Sequence, residues 1–423
     1  MSNPEPVITE ERADIEASSG VETDLIYDLD DQPPVPDAVF AALQHVLASF
    51  VGIITPSFII SGALGLEPAD TRYLISMSLF VSGIATFIQA RKIGPVGSGL
   101  LSVQGTSFAF IGPIIAAGAG IVGAGGTPTQ ALGLIFGLCL MGSFIEMIFS
   151  RFIHLLQTVV TPLVTGTVVT LIGLTLVNVG VTSMGGGFAA RGDGTFGSPQ
   201  YLGLAALVLA IIVVLNNTRS TVLRMSSIVI GLVVGYIVAI PMGLVDLSLL
   251  GGLPPINVPI PFRYGFGFNL AAFIPFAFLY VITTIESTGD LTATSLLTGQ
   301  PIRGDRYFER IRGGILGDGI NSFIAACFNT FPNTTFSQNN GVIQLTGIGS
   351  RYVGYFIAGI FVLLGLFPIV GGIFQSIPQP VLGGATIIMF GTVAVAGIKI
   401  LSCVNLTKRN SIILAVSLGL GLG

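Results

Sequence analysis

Residues Phe331–Gly347 read FPNTTFSQNNGVIQLTG, and seven hydrogen-bonding side chains fall within the eight positions from Asn333 to Asn340. The chain around them is very different. Of 423 residues, 52% are hydrophobic and only 9% charged, with a mean hydropathy of +0.88; soluble domains carry about 25% charged residues. This composition is that of a polytopic membrane protein. Lipid offers backbone polar groups no partner, so spans are helices or closed barrels. The apolar runs here are about 20 residues long without strand alternation, which makes them helices. A polar run in such a chain needs a reason, and the question is what it binds.

Apolar segments are predicted at 38–66, 72–90, 100–120, 128–150, 156–181, 200–216, 225–245, 268–298, 313–330, 337–348, 352–375, 380–401 and 410–423. With the N-terminus in the cytoplasm, thirteen Lys and Arg, among them Lys92, Arg151, Arg312 and Arg351, fall in cytoplasmic connections. Three, Arg72, Arg191 and Arg263, fall outside. That asymmetry is the positive-inside pattern and supports the span assignment. The tail up to Asp37 holds eleven acids and one base, Arg12, and few apolar residues. It is expected to be a disordered cytoplasmic extension, and it lacks the basic start and apolar core of a signal peptide. The last segment is shorter than a span, so the chain is expected to stop within its thirteenth segment. Gly185–Pro199 reads as a flexible external loop. Cys139, Cys327 and Cys403 show no metal spacing; no metal, cofactor or nucleic-acid partner is expected.

Transporters built from inverted repeats place interrupted helices at corresponding positions of their two halves. Here the third segment carries QGTSF (Gln104–Phe108) and the tenth carries TTFSQN (Thr334–Asn339). Ser107 and Ser337 are suited to N-cap the short helices that follow, and the residues before them suit short strands. Ionisable groups recur in the spans: His45 in the first, Glu286 and Asp290 at i,i+4 on one face of the eighth, and Asp318 in the ninth. Each costs about 2.5–3.5 kcal/mol to insert and is expected to face a cavity or partner. Glu146 is expected to pair near its helix end with Arg151 or water, outside the site.

Two half-helix N-termini meeting near the midplane offer free N–H groups and partial positive charge to carbonyl or anionic oxygens. Glu286 accepts from ligand N–H groups. Gln338 carries both a donor and an acceptor, and Phe108 offers a face for stacking. The ligand implied is small, flat and heterocyclic, with alternating C=O and N–H groups: a purine or pyrimidine base.

The run Ser337–Gly347, SQNNGVIQLTG, resembles the signature of the nucleobase–ascorbate transporters (nucleobase–cation symporter family 2). The similarity extends over nearly the whole chain through LQHVL, GSGLLSVQGTSF, GGGFAA, TTIESTGD, RGGILGDG and SRYVG, and is greatest to the bacterial xanthine permeases within that family. The resemblance implies an all-α fold of fourteen segments in two inverted repeats of seven. It implies a core domain (38–150 and 268–375) moving against a gate domain (151–250 and 380–423), following the tail at 1–37, in a homodimer of the bacterial inner membrane. It implies import of xanthine, urate or a related base with protons, drawn from a lipid-embedded site. Glu286 and Gln338 would bind the base, with Phe108, Ser107 and Ser337 beside it; His45, Asp290, Asp318 and Asn339 would serve proton coupling or conformational change. Ser107 stands where some xanthine carriers have Asn.

From the residues alone, Asn339 reads as a brace for the half-helix, Asp290 as a proton carrier or the partner of a Thr, Asp318 as a bond to unwound backbone, and His45 as a strut orienting Ser107. The rival readings are an anion exchanger on the same fold, where Glu286 would repel the cargo, a uracil-type permease, and an intramembrane aspartyl protease built on Asp290 and Asp318. The last needs a GxGD motif, and Ile315 stands at its first glycine. No P-loop, HExxH or GxSxG pattern occurs, so transport rather than enzymatic chemistry is expected.

Overall fold

The computed structural model describes residues 25–153, 162–192, 194–302, 304–402 and 404–422. Its first half contains α1 (Val35–Leu64), α2 (Pro68–Arg91), strand β1 (Gln104–Thr106), α3 (Ile111–Gly123), α4 (Pro128–Phe149), α5 (Pro162–Met184), α6 (Gly187–Gly192), α7 (Pro199–Asn216), α8 (Thr221–Met225) and α9 (Ser227–Ala239). The second half contains α10 (Leu270–Leu297), α11 (Gly304–Cys327), strand β2 (Asn333–Thr335), α12 (Gln338–Thr346), α13 (Arg351–Leu366), α14 (Pro368–Gln375), α15 (Gln379–Ser402) and α16 (Lys408–Leu422). Among the described residues seven helices are long and apolar enough to cross a membrane. An eighth span is the pair α13–α14, turned by 74°. The turn has a local cause: Pro368 has no N–H and holds Phe367 in extended backbone (φ −95°, ψ 107°).

The interrupted third and tenth segments are present as strand plus half-helix, and they meet. β1 and β2 pair antiparallel with Gln104 opposite Thr335, Gly105 opposite Thr334 and Thr106 opposite Asn333. Around this ladder α1, α2, α3, α4, α10, α11 and α13 pack into one bundle, while α5, α7, α9 and α15 pack into a second. Small residues set the contacts. A Cβ on Gly83 of α2 would lie 2.6 Å from the Ala358 carbonyl of α13, and one on Gly173 of α5 would lie 2.3 Å from the Ala394 nitrogen of α15.

Three regions differ from the sequence expectations. The tail assigned to 1–37 as disordered is ordered well before its end; residues 1–24 lie outside the described residues. Residues 26–31 form a strap across the junction of α12 and α13, where backbone groups between two helices need partners. The Ile26 N–H donates to the Gly347 carbonyl (2.7 Å), the Gly349 N–H to Tyr27 (3.0 Å) and the Arg351 N–H to Leu29 (3.0 Å). Asp30 adds an ion pair with Arg351 at 2.6 Å. The loop expected over 185–199 contains α6, with Arg191 stacked 4.8 Å from the Phe196 ring centre. The ninth segment, expected from 313, begins at Gly304 with the polar turns GDRYFERIR.

The charge asymmetry has a structural counterpart. Lys92, Arg151, Arg306, Arg310, Arg312 and Arg351 line two neighbouring cavities on one face, beside the strap residues Asp28–Asp31. Arg263 belongs to a different cluster, 3.3 Å from Asp70 and 4.4 Å over the Tyr73 ring.

The tight α2–α13 contact gives a stability prediction. Overpacking costs roughly 1–3 kcal/mol, so Gly83→Leu is expected to lower the melting temperature of detergent-solubilised protein. Gly120→Ala, whose added methyl meets nothing within 4 Å, is expected to leave it unchanged or slightly raised, since Ala favours the helix over Gly.

Candidate functional site

The ladder is three residues long, so the half-helices leaving its two ends start about 10 Å apart, at about 3.3 Å per residue, and run in opposite directions. Its outer edges are satisfied by hydroxyls from neighbouring helices. The Gln104 N–H donates to Thr86 Oγ1 of α2 (3.0 Å), and Ser322 Oγ of α11 bonds both the N–H and the carbonyl of Asn333 (3.2 Å each). The Ser107 N–H donates to the Pro332 carbonyl (2.8 Å) and the Phe336 N–H to Val103 (2.9 Å), which extends the pairing on both sides. Gly105 has no alternative here, since a Cβ on it would stand 2.0 Å from the Phe336 ring.

Ser107 and Ser337 occupy the N-cap positions but neither side chain caps its helix. Ser337 is already in helical conformation, and the first N–H groups of α12 turn back three residues instead: Asn339 to Phe336 and Asn340 to Ser337. The Ser337 hydroxyl is therefore not consumed by its own helix. Ser337 and Gln338 are exposed, whereas Asn339 behind them is buried. The Gln338 amide lies beside Gly52 of α1, where an added Cβ would be 3.6 Å from Nε2 and 3.7 Å from Met389 of α15. Phe108 is half-buried and packs edge-on against Phe390, also of α15, at 5.7 Å between centroids. The space beside Phe108 and Gln338 is thus closed by the second bundle.

One face of α10 is tied to β2 and α12. Ser287 lies 3.3 Å from Thr334 Oγ1, Thr335 donates to Asp290 Oδ2 (2.8 Å), and Thr294 donates to Asn340 Oδ1 (2.7 Å). Asp290 is therefore the partner of a Thr, one of the two roles its sequence allowed. Glu286, one turn earlier, is half-buried and has no hydrogen-bond partner among the described residues. A carboxylate held on a braced helix face without a protein donor is available to a ligand.

Two sequence expectations are corrected by the bonds observed. His45 does not orient Ser107: its Nδ1 accepts from the Asn339 amide at 2.8 Å, which leaves buried Nε2 unpartnered. The two residues lie 294 positions apart, so only the fold could reveal the pair. Asp318 does not bond unwound backbone: its Oδ1 accepts from Gln89 Nε2 at 2.6 Å. The same amide nitrogen reaches the Gly314 carbonyl (2.7 Å), and Gln89 Oε1 accepts from the Ser98 N–H (2.9 Å). Sequence reasoning missed Gln89; its only signal is an uncharged polar residue near the end of an apolar span. Glu146 does not pair with Arg151. It is 1% exposed, with both carboxylate oxygens lacking a partner.

The permease-family profile matches residues 36–423. The chain is 50% identical over 404 residues to xanthine permease XanP of Escherichia coli K12, covering 95% of this chain and 87% of that one. The chain belongs to the nucleobase–ascorbate transporter family. It is also 45% identical over 401 residues to xanthine permease XanQ of the same strain (95% and 86% covered) and 42% identical over 404 residues to a putative purine permease of Clostridium perfringens (95% and 85% covered). Among solved structures, the transmembrane domain of the cyanobacterial bicarbonate transporter BicA aligns with a TM-score of 0.63 over 94% of this chain and 97% of that one, at 14% identity. The murine anion transporter Slc26a9 in its inward-facing state aligns with a TM-score of 0.57 over 100% and 69%, at 12% identity. These place the permease on the 7+7 inverted-repeat fold of multi-pass membrane transporters.

The His45–Asn339 bond predicts a stability effect. Leaving a buried polar group unsatisfied costs about 1–3 kcal/mol. Asn339→Ala is expected to lower the melting temperature, and Asn339→Asp to restore part of the loss through a charge-assisted bond to the imidazole, measured on purified protein.

Proposed function

We propose that this permease imports xanthine, or a purine base that shares its C=O and N–H pattern such as urate, together with protons across the bacterial inner membrane. The observation that carries the reading is the unpartnered carboxylate of Glu286 on a helix face fixed to β2, in a chain half identical to a xanthine permease. Glu286 supplies acceptors for ring N–H groups, Gln338 a donor and an acceptor for an adjacent C=O and N–H, and Phe108 a face for the ring. Ser107 and Ser337 add hydroxyls and helix-start N–H groups at the two ends of the ladder. Asp290, Asp318, His45 and Asn339 act in proton coupling or in holding the half-helices. The bundle of α1–α4 and α10–α14 serves as the core and the bundle of α5–α9 and α15–α16 as the gate, with the strap face cytoplasmic and two copies forming a dimer. An anion carrier has the same fold, but a carboxylate at the centre of its site would repel the cargo. A pyrimidine such as uracil is the neighbouring alternative and enters as a competitor in the test.

Labelled xanthine is expected to accumulate saturably in cells expressing the protein, and accumulation is expected to collapse with a protonophore. Excess urate should compete more strongly than uracil; the reverse order would make this a pyrimidine carrier. Glu286→Gln is expected to lower uptake per membrane-inserted molecule by about tenfold or more through loss of binding. Full uptake and affinity in that variant would remove Glu286 from the site.

A further inference from the structure

Glu146 belongs to no part of the site as assembled so far, yet it is a carboxyl group buried without a hydrogen-bond partner. It lies on α4, 1% exposed, with neither oxygen hydrogen-bonded. Facing it from α11 is Asp318, 0% exposed, whose Oδ2 is also without a partner. The helices touch here: a Cβ on Gly319 would stand 2.9 Å from the Met147 nitrogen and 3.2 Å from the Ser143 carbonyl. From α10 the titratable groups that bear on Glu146 are Glu286 and Tyr280. Tyr280 is occupied, donating to the Cys139 carbonyl at 2.8 Å. The third neighbour, α3, carries no titratable side chain. Among the described residues no base bears on the group.

A carboxylate ion so placed has no donor or cation among the described residues, and binding a proton is the way to remove that cost. With buried Asp318 beside it, a second negative charge is less favourable still. One turn away the helices open. Ser150, whose N–H bonds the Glu146 carbonyl at 2.9 Å, lines a cavity of about 440 Å³ with Arg151, Arg312, Gly313 and Leu316. This cavity lies on the basic face, between α4 and α11, and does not include Gln338, Phe108 or the α15 residues beside them.

We propose that Glu146 and Asp318 form the proton-holding site of transport, and that the proton leaves through the α4–α11 cavity while the base leaves between the two bundles. This rests on the reading of the permease as a proton-coupled importer. Glu286, which faces the ligand and lies within electrostatic reach of both acids, hands the proton inward. Ser287, the residue after Glu286, lies beside Asp318. Only O–H bonds form and break: the proton comes from outside water, rests on a carboxyl oxygen of the pair, and passes to water in the cavity.

The test uses full-length protein in proteoliposomes. Wild-type and Glu146→Gln proteins are compared for xanthine accumulation driven by a pH gradient and for xanthine counterflow without one. The amide mimics a permanently protonated acid, so accumulation should fall by about tenfold or more, while counterflow stays within about threefold and becomes flat from about pH 5.5 to 8. Leu316→Trp, which narrows the cavity, should slow accumulation and leave the pH profile of counterflow as in wild type. Infrared difference spectra taken on the purified protein over the same pH range should contain a protonated-carboxyl carbonyl band that Glu146→Gln removes. Wild-type accumulation and pH dependence in Glu146→Gln would overturn the proposal, as would parallel loss of counterflow and accumulation in protein that remains folded. If wild-type protein moves no xanthine, the functional reading fails, and the infrared band decides the proton site alone: a band left undiminished and unshifted by Glu146→Gln overturns the site.

Discussion

The structure depends on a pairing that lipid makes obligatory. Two spans are broken near the middle of the bundle, and each break frees backbone N–H and C=O groups in a place where water cannot satisfy them. β1 and β2 satisfy each other, and hydroxyls of Thr86 and Ser322 close the edges. The two halves therefore cannot be assembled separately at this point: the third segment supplies partners for the tenth. The same pairing turns the starts of α3 and α12 toward the ladder. The donors left there, and the side chains of Gln338 and Phe108, are what a ligand would meet on the proposed reading.

A second consequence is the distribution of hydroxyls along α10. Ser287, Asp290 and Thr294 fall at i, i+3 and i+7, one stripe of a helix, and each holds a residue of β2 or α12. That stripe fixes the rotation of α10 and so the direction of Glu286. A carboxylate costs too much inside a membrane protein to be left to wander; bracing its helix along this stripe restricts the direction Glu286 takes. The bicarbonate transporter BicA and the anion transporter Slc26a9 share this fold, yet their likeness carries the fold alone. On the proposed reading it is the acids, not the topology, that separate a base carrier from an anion carrier.

Much of this was legible in the sequence because its signals were local. A run of polar residues ahead of a short apolar segment, twice, at corresponding places, marks broken helices. Glu286 and Asp290 at i,i+4 mark one face. What escaped was long-range. The His45–Asn339 and Gln89–Asp318 bonds join residues more than two hundred positions apart, and no periodicity encodes such pairs. The N-cap expectation for Ser107 and Ser337 failed because α12 opens in a tight turn and satisfies its own first donors. The pairing of Glu146 with Arg151 failed on helical geometry. Residues five apart are displaced by about 140° around a helix with 3.6 residues per turn, so Arg151 leaves α4 on another side and Glu146 remains on the face that α11 covers.

That misplaced glutamate bears on how the two halves of transport can be joined. On the proposed reading, a base held between Glu286 and Gln338 would leave as the α15 side withdraws, since Phe390 and Met389 stand beside Phe108 and Gly52. A proton held only on Glu286 would meet the same opening as the base, and nothing in the geometry would oblige the two to cross together. Acids set one helix deeper change this. Glu146 and Asp318 lie on α4 and α11, beside α10, which is held by its contacts to β2 and α12. A base that presses on Glu286 presses on the helix that separates the ligand from the deeper acids. Coupling then needs no large relay: the same rigid stripe that aims Glu286 at the ring also sets the distance from Glu286 to the buried pair.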